Sequence, residues 1–148
     1  MGRLIPLILS VGGAASPAQI LRPSSVISSG NWTAYPSGTL VSVLDEVSAD
    51  DGDYATTSDT GSDTFEIKLG AGGDPASSTG HIVRYRIQGT GGAGVVVSLY
   101  QGTSPIAGPW THNPADAAFT TYEQTLSGGE ADSISDYTNL RLRFVSAP

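Results

Sequence analysis

The side chains of this chain that could do chemistry fall into a few groups. Asp50-Asp51-Gly52-Asp53 is the densest carboxylate cluster. Several carboxylate and carbonyl oxygens on one loop suit a hard cation such as calcium. Asp50, Asp51 and Asp53 are therefore candidate ligands, joined by Asp59 and Asp63 only if the loop folds back. The D-D-G-D spacing lacks the rest of a calcium-hand loop and its closing glutamate, so a solvated acidic turn is the plainer expectation. His81 and His112 belong to no H-E-x-x-H pair, and zinc takes three or four ligands; both read as strand residues. The chain has no cysteine, which removes thiolate metal sites and a disulfide framework. Serines are many, but no G-x-S-x-G elbow occurs, and nothing singles out two carboxylates for glycoside hydrolysis. The glycine stretches at 70–73 and 89–94 lack the G-x-x-x-x-G-K spacing of a phosphate loop. No catalytic residue, metal site or cofactor is assigned on these grounds. The aromatic residues carry more. Trp32 and Tyr35 are flanked by turn formers and are the best candidates for an exposed platform that stacks on the apolar faces of sugars. Trp110 and Tyr122 lie in strand-like segments and are expected to fill the core.

The elements that must position these residues are short and alternating. Phe65, Ile67 and Leu69 take one face of a strand over Thr64–Leu69, with Glu66 and Lys68 on the other. Over 81–88, Val83, Tyr85 and Ile87 alternate with Arg84 and Arg86. Val95, Val97 and Leu99 follow, then Leu140, Leu142 and Phe144 alternating with Arg141 and Arg143. Shorter strands are expected at Ile20–Pro23, at 106–112 with Trp110, and at 119–126 with Tyr122, Gln124 and Leu126 inward. The segment 39–47 fits a strand or a helical turn; a strand followed by a turn is the expectation. Residues 48–63 read as a long acidic loop with a short strand at Tyr54, Ala55 and Thr56. Ser127-Gly128-Gly129-Glu130 has capping-box spacing and predicts one helical turn. Seven or eight short strands with turn signals every 10 to 15 or so residues specify an all-β fold, an antiparallel β-sandwich of jelly-roll type.

A chain of 148 residues fits one domain with a core of its own. Its net charge is −7. Nine of the fourteen acids lie between Asp45 and Asp74, where Lys68 is the only base. That sign repels a phosphate backbone, so no nucleic-acid partner is expected. The N-terminal run of Leu4, Ile5, Leu7, Ile8 and Leu9 resembles a weak signal peptide, but Pro6 interrupts it. It is too short to span a bilayer, and no membrane partner is expected. It is read instead as an extended apolar arm. Residues 1–19 then form an arm and linker, with the sandwich domain over 20–148, and the arm residues are candidate contacts to a neighbouring subunit.

One ordered set of short motifs remains. Leu21-Arg22-Pro23, the segment 27–32 ending in Asn31-Trp32, Leu44-Asp45-Glu46 and Asp50 to Tyr54 come first. Val83-Arg84-Tyr85-Arg86, Ser98-Leu99-Tyr100-Gln101-Gly102, Trp110-Thr111-His112, the segment 121–126 and the segment 136–144 follow. This string, over about residues 20–145, resembles a family of small proteins encoded in the structural regions of tailed bacteriophages and prophages. The resemblance implies a virion protein without transferable catalytic residues. It points first to a capsid decoration, or cement, protein whose partner is the major capsid protein and whose arm lies across the lattice. A neck, tail or fibre-associated protein is the next expectation, and a glycan-binding module for host attachment the third. A homo-oligomer, with a trimer plausible, fits the same family.

Overall fold

The computed structural model describes residues 2–13, 16–59, 61–113 and 115–148, with the backbone alone for 4–13, 16 and 17. Two antiparallel sheets pack face to face as a β-sandwich. The first sheet contains β1 (Gly2–Gly13), β2 (Ser16–Leu21), β4 (Thr33–Tyr35), β5 (Tyr54–Thr57), β7 (Ile82–Gly89) and β10 (Thr120–Thr125). Its order is β10-β7-β1-β5-β4, and β2 pairs with the far half of β1. The second sheet contains β3 (Pro23–Ser28), β6 (Thr64–Leu69), β8 (Gly94–Gln101), β9 (Ser104–His112) and β11 (Leu140–Ala147), in the order β3-β6-β11-β8-β9.

Period-two alternation builds the core. The inward sets of β6, β7, β8 and β11 named from the sequence are each at most 1% exposed. Their outward neighbours Arg84, Arg86, Lys68, Arg141 and Arg143 keep partial contact with solvent, as one wet face per sheet requires. Glu66 departs from the pattern. It faces outward by alternation yet is buried, because Arg141 and Arg143 reach across from β11 to its carboxylate at 3.1 and 2.8 Å.

The N-terminal segment corrects the expectation of a separate arm. The side chains of Leu4, Ile5, Leu7, Ile8 and Leu9 lie outside the described part of the structure. Their backbone is β1, the middle strand of the first sheet, paired with β7, β5 and β2. The sandwich therefore begins at Gly2 and not near residue 20, and most of the expected linker is strand. Pro6 is compatible with this position because the β1–β7 register shifts between Ile5, opposite Arg86, and Ile8, opposite Arg84. That shift is a β-bulge around Pro6 and Leu7, where a missing N–H breaks no ladder bond.

The segment 39–47 also departs from expectation. Residues 40–44 form a turn instead of a strand. Thr39 and Ser42 exchange side-chain to backbone hydrogen bonds at 3.0 and 3.1 Å, and Leu44 N–H donates to the Val41 carbonyl at 2.9 Å. Such local bonds compete with a ladder. The turn sets the consecutive residues Val43 and Leu44 both into the core, each 2% exposed. At the other end of the chain, α1 (Gly128–Asp132) forms where the capping box predicts a helical turn. Glu130 N–H donates to Ser127 Oγ, and Ser127 N–H donates to Glu130 Oε2.

Candidate functional site

The acidic loop does not converge on a point. Asp51 makes a two-pronged ion pair with Arg86 on the outer face of the first sheet, 2.7 Å on each prong. That pairing draws its carboxyl below the usual range. Asp50 accepts the Gly52 N–H at 2.8 Å and closes a local turn. Asp53 turns instead to Glu46. Among the described residues, no three His, Cys, Asp or Glu side chains are grouped to hold a metal ion, so the arrangement offers Asp50, Asp51 and Asp53 no shared cation.

The Glu46–Asp53 pair was not visible in the sequence. Both Glu46 carboxyl oxygens and Asp53 Oδ1 are shut off from water without a donor from the rest of the chain. A proton held on Glu46 and shared with Asp53 answers both groups. The Glu46 carboxyl is raised from 4.5 to about 7: burial strips it of water, Asp53 accepts its hydrogen bond and repels its charge, and Asp45 adds to the repulsion. The sign follows from linkage. A carboxyl raised in the folded state contributes stability that is fully present below about pH 4.5 and lost as pH rises through about 7. His81 and His112 are lowered mainly by burial and act oppositely, weakening the fold as pH falls below their ordinary value of 6.5. A difference measurement separates the two. Glu46→Gln keeps a neutral donor and is expected to be more stable than the parent at pH 8 by about 1 to 2 kcal/mol, allowing for solvent screening around the pair. At pH 4.5 the gap should close. Urea unfolding of both chains across that range checks it, and a pH-independent difference would remove the shared proton.

Trp32 corrects the glycan-stacking expectation. It is 2% exposed and packs on Phe65 with ring centroids 5.9 Å apart. The turn at 29–32 carries the chain from β3 in one sheet to β4 in the other, so Trp32 enters the layer between them. Tyr35 behaves as expected of an exposed ring. It is 48% exposed, and one face lies on Tyr54 at 4.6 Å.

Two histidine–tyrosine contacts, one buried and one half-buried, mark the remaining polar regions. His81, fully buried, meets the Tyr137 hydroxyl at 2.7 Å. Tyr137 and Ile134 form the wall of a cleft of about 230 Å³ whose rim carries Asp74, Ser77, Ser78 and Asp132. Burial lowers His81 and raises Tyr137, so both stay neutral near pH 7. Asp74 lies within range of both: its charge works against burial at His81 and adds to it at Tyr137. Further along β7, Gln124 Nε2 donates to the Tyr85 hydroxyl at 3.1 Å. The same hydroxyl meets His112 Nε2 at 2.8 Å. Tyr85 is pushed up to about 12, chiefly by burial. The Tyr122 ring lies against His112, centroids 3.9 Å apart and planes tilted by 40°, and its hydroxyl donates to Asp116 at 2.7 Å. Trp110 and Tyr122 are half-buried and pack on the core, as their strand positions predict. In both contacts an imidazole nitrogen is engaged by a tyrosine hydroxyl. The Tyr85–His112 contact ties β7 of one sheet to β9 of the other.

No protein-family model matches the chain, and neither a curated protein nor a solved structure matches it significantly. No helix among the described residues is long and apolar enough to cross a membrane.

Proposed function

We propose that this protein is a structural component of a tailed-bacteriophage particle, a decoration protein bound to the outside of the major capsid lattice, acting by binding and not by catalysis. The observation that carries the reading is the ordered motif string from Leu21 to Phe144. Its later segments lie in β7, β8, β9, β10 and β11, and its earlier ones at the β2–β3 corner, at the end of β3 and in the connection from β4 to β5. A string spread over the whole framework supports a likeness of the entire domain. A sandwich with a continuous core between two sheets suits a part that braces others. Binding only to the assembled shell stabilises that shell by mass action.

The test is the position and abundance of the chain in purified particles. Cryo-electron microscopy with quantitative mass spectrometry is expected to find it over the shell surface, at a copy number comparable with that of the shell protein. A single ring at the neck or tail would assign it there instead. Shell density without this chain would remove the reading. A glycan-binding role draws on the exposed ring of Tyr35 alone, since Trp32 is buried, and a Tyr35→Ala chain that retains glycan binding would count against that ring.

A further inference from the structure

At Asp51–Gly52 the backbone of the chain is placed to attack one of its own side chains. This is the sole Asp-Gly step in the sequence, and no Asn-Gly step occurs. In such a step the glycine nitrogen approaches the aspartyl side chain with no Cβ of its own in the way. Attack of Gly52 N on Asp51 Cγ forms a C–N bond and breaks a C–O bond. The proton of the nitrogen and the hydroxyl of the neutral carboxyl leave together as water, and a cyclic succinimide remains. Water then opens the ring at either carbonyl. One opening restores aspartate, and the other carries the main chain through Cγ as isoaspartate. Both residues are exposed, so solvent reaches the step.

We infer that Asp51 is a latent isomerisation site, kept unreacted in the folded chain by its ion pair with Arg86. Arg86 Nε and Nη2 each hold one Asp51 oxygen at 2.7 Å. The side chain cannot swing towards Gly52 N without breaking both bonds, so the near-attack geometry is denied. The same bonds keep the carboxyl ionised, whereas cyclisation draws on the neutral acid, which can release water. The Gly52 N–H is turned away to Asp50 Oδ1 at 2.8 Å. Arg86 is itself anchored. It stands on β7, donates to Thr121 on β10 at 3.2 Å and lies over the Phe119 ring at 5.7 Å. The lock therefore belongs to the sheet and not to the loop. Conversion is also self-reinforcing. Isoaspartate lengthens the main chain by one methylene and shortens the side chain by the same group, so the two-pronged pair cannot re-form in place and the acidic loop loses this tie to β7. The inference stands apart from the virion reading, because it concerns the isolated chain.

Ageing of the purified full chain in warm neutral buffer tests it, with isoaspartate at residue 51 followed by peptide mapping and electron-transfer fragmentation. The same chain unfolded in guanidinium chloride gives the unrestrained rate. The folded parent is expected to convert at least about tenfold more slowly than the unfolded chain. Arg86→Gln removes both prongs and should speed conversion in the folded state about fivefold, with far-UV circular dichroism checking that the fold is kept. Arg86→Lys keeps the charge but offers a single nitrogen. It should fall between parent and Arg86→Gln, and it decides the matter if the glutamine variant fails to fold. Arg84→Gln breaks the neighbouring pair with Glu123 on the same outer face and should leave the rate unchanged. No isoaspartate in the unfolded chain, a folded parent as fast as the unfolded one, Arg86 variants no faster than the parent, or Arg84→Gln as fast as Arg86→Gln would each overturn the proposal.

Discussion

A chain lacking residues 2–13 is expected not to fold. This deletion carries the largest effect the structure implies. β1 is the middle strand of its sheet, with β7 and β10 on one side and β5, β4 and β2 on the other. Removing it leaves two separate strand pairs, β10-β7 and β5-β4, and takes from β2 its partner. Leu4 stands opposite both Ile87 and Ala55, and Leu9 opposite both Val83 and Leu21; those four partners are buried core residues. Exposing the edges of β5 and β7 leaves unpaired backbone groups inside the domain, each costing about 1 to 3 kcal/mol. A handful of these exceeds the 5 to 15 kcal/mol or so by which a domain is stable. Circular dichroism and one-dimensional proton NMR of the truncated chain should show loss of the native sheet and of dispersed methyl signals. A truncated chain with a cooperative unfolding transition would mean that this segment is, after all, an appendage.

That outcome bears on how much of the molecule could be read before its structure. Where one face of a strand is wet, alternation survives in the sequence, and the inward sets of β6, β7, β8 and β11 were legible residue by residue. The segment at 4–11 is apolar almost throughout. A continuous apolar run has no period to read, and Pro6 argues against a strand until a bulge is known to hold it. Trp32 failed for a different reason. Turn formers around it signal a turn correctly, but a turn that crosses between two sheets passes through the core, and only the pairing of β3 and β4 with different sheets reveals that. Ser127 and Glu130 were legible because a capping box is local. Glu66 and the Glu46–Asp53 pair were not. The first is buried by arginines some 75 residues away in sequence, and the second lies within an acidic loop whose fold the charges do not specify. Local bonds leave a trace in sequence, and partners brought together by the sheet do not.

Asp63 is the clearest case of such a partner, and its replacement carries the second large effect. The residue is 9% exposed. Its carboxylate accepts the Asn31 N–H at 3.0 Å and the Thr57 hydroxyl at 3.2 Å. Its own N–H donates to Ser146 Oγ at 2.9 Å, and the Ser146 N–H donates to the Asp63 carbonyl at 2.9 Å. One residue thus ties the turn after β3 to β5, and the start of β6 to the end of β11. Gly30, with φ at +52°, lets the turn press against it, and a Cβ there would overlap Asp63 Oδ1 and sit 2.6 Å from the Thr64 carbonyl. Asp63→Ala removes the acceptor for two donors and leaves them in a place water reaches poorly. The expected cost is about 3 kcal/mol, against about 1 to 2 kcal/mol for Asp63→Asn, which keeps one acceptor oxygen. Gly30→Ala should cost about 2 kcal/mol or more through the left-handed backbone and the overlap. Combining Gly30→Ala with Asp63→Ala should cost less than the sum of the two, because the first substitution clashes with the group the second removes. Urea unfolding gives all four values, and the fluorescence of Trp32, next to Asn31, should shift to longer wavelength as the turn loosens. Strict additivity, or a loss under about 1 kcal/mol for Asp63→Ala, would mean that the turn is held by the burial of Trp32 alone.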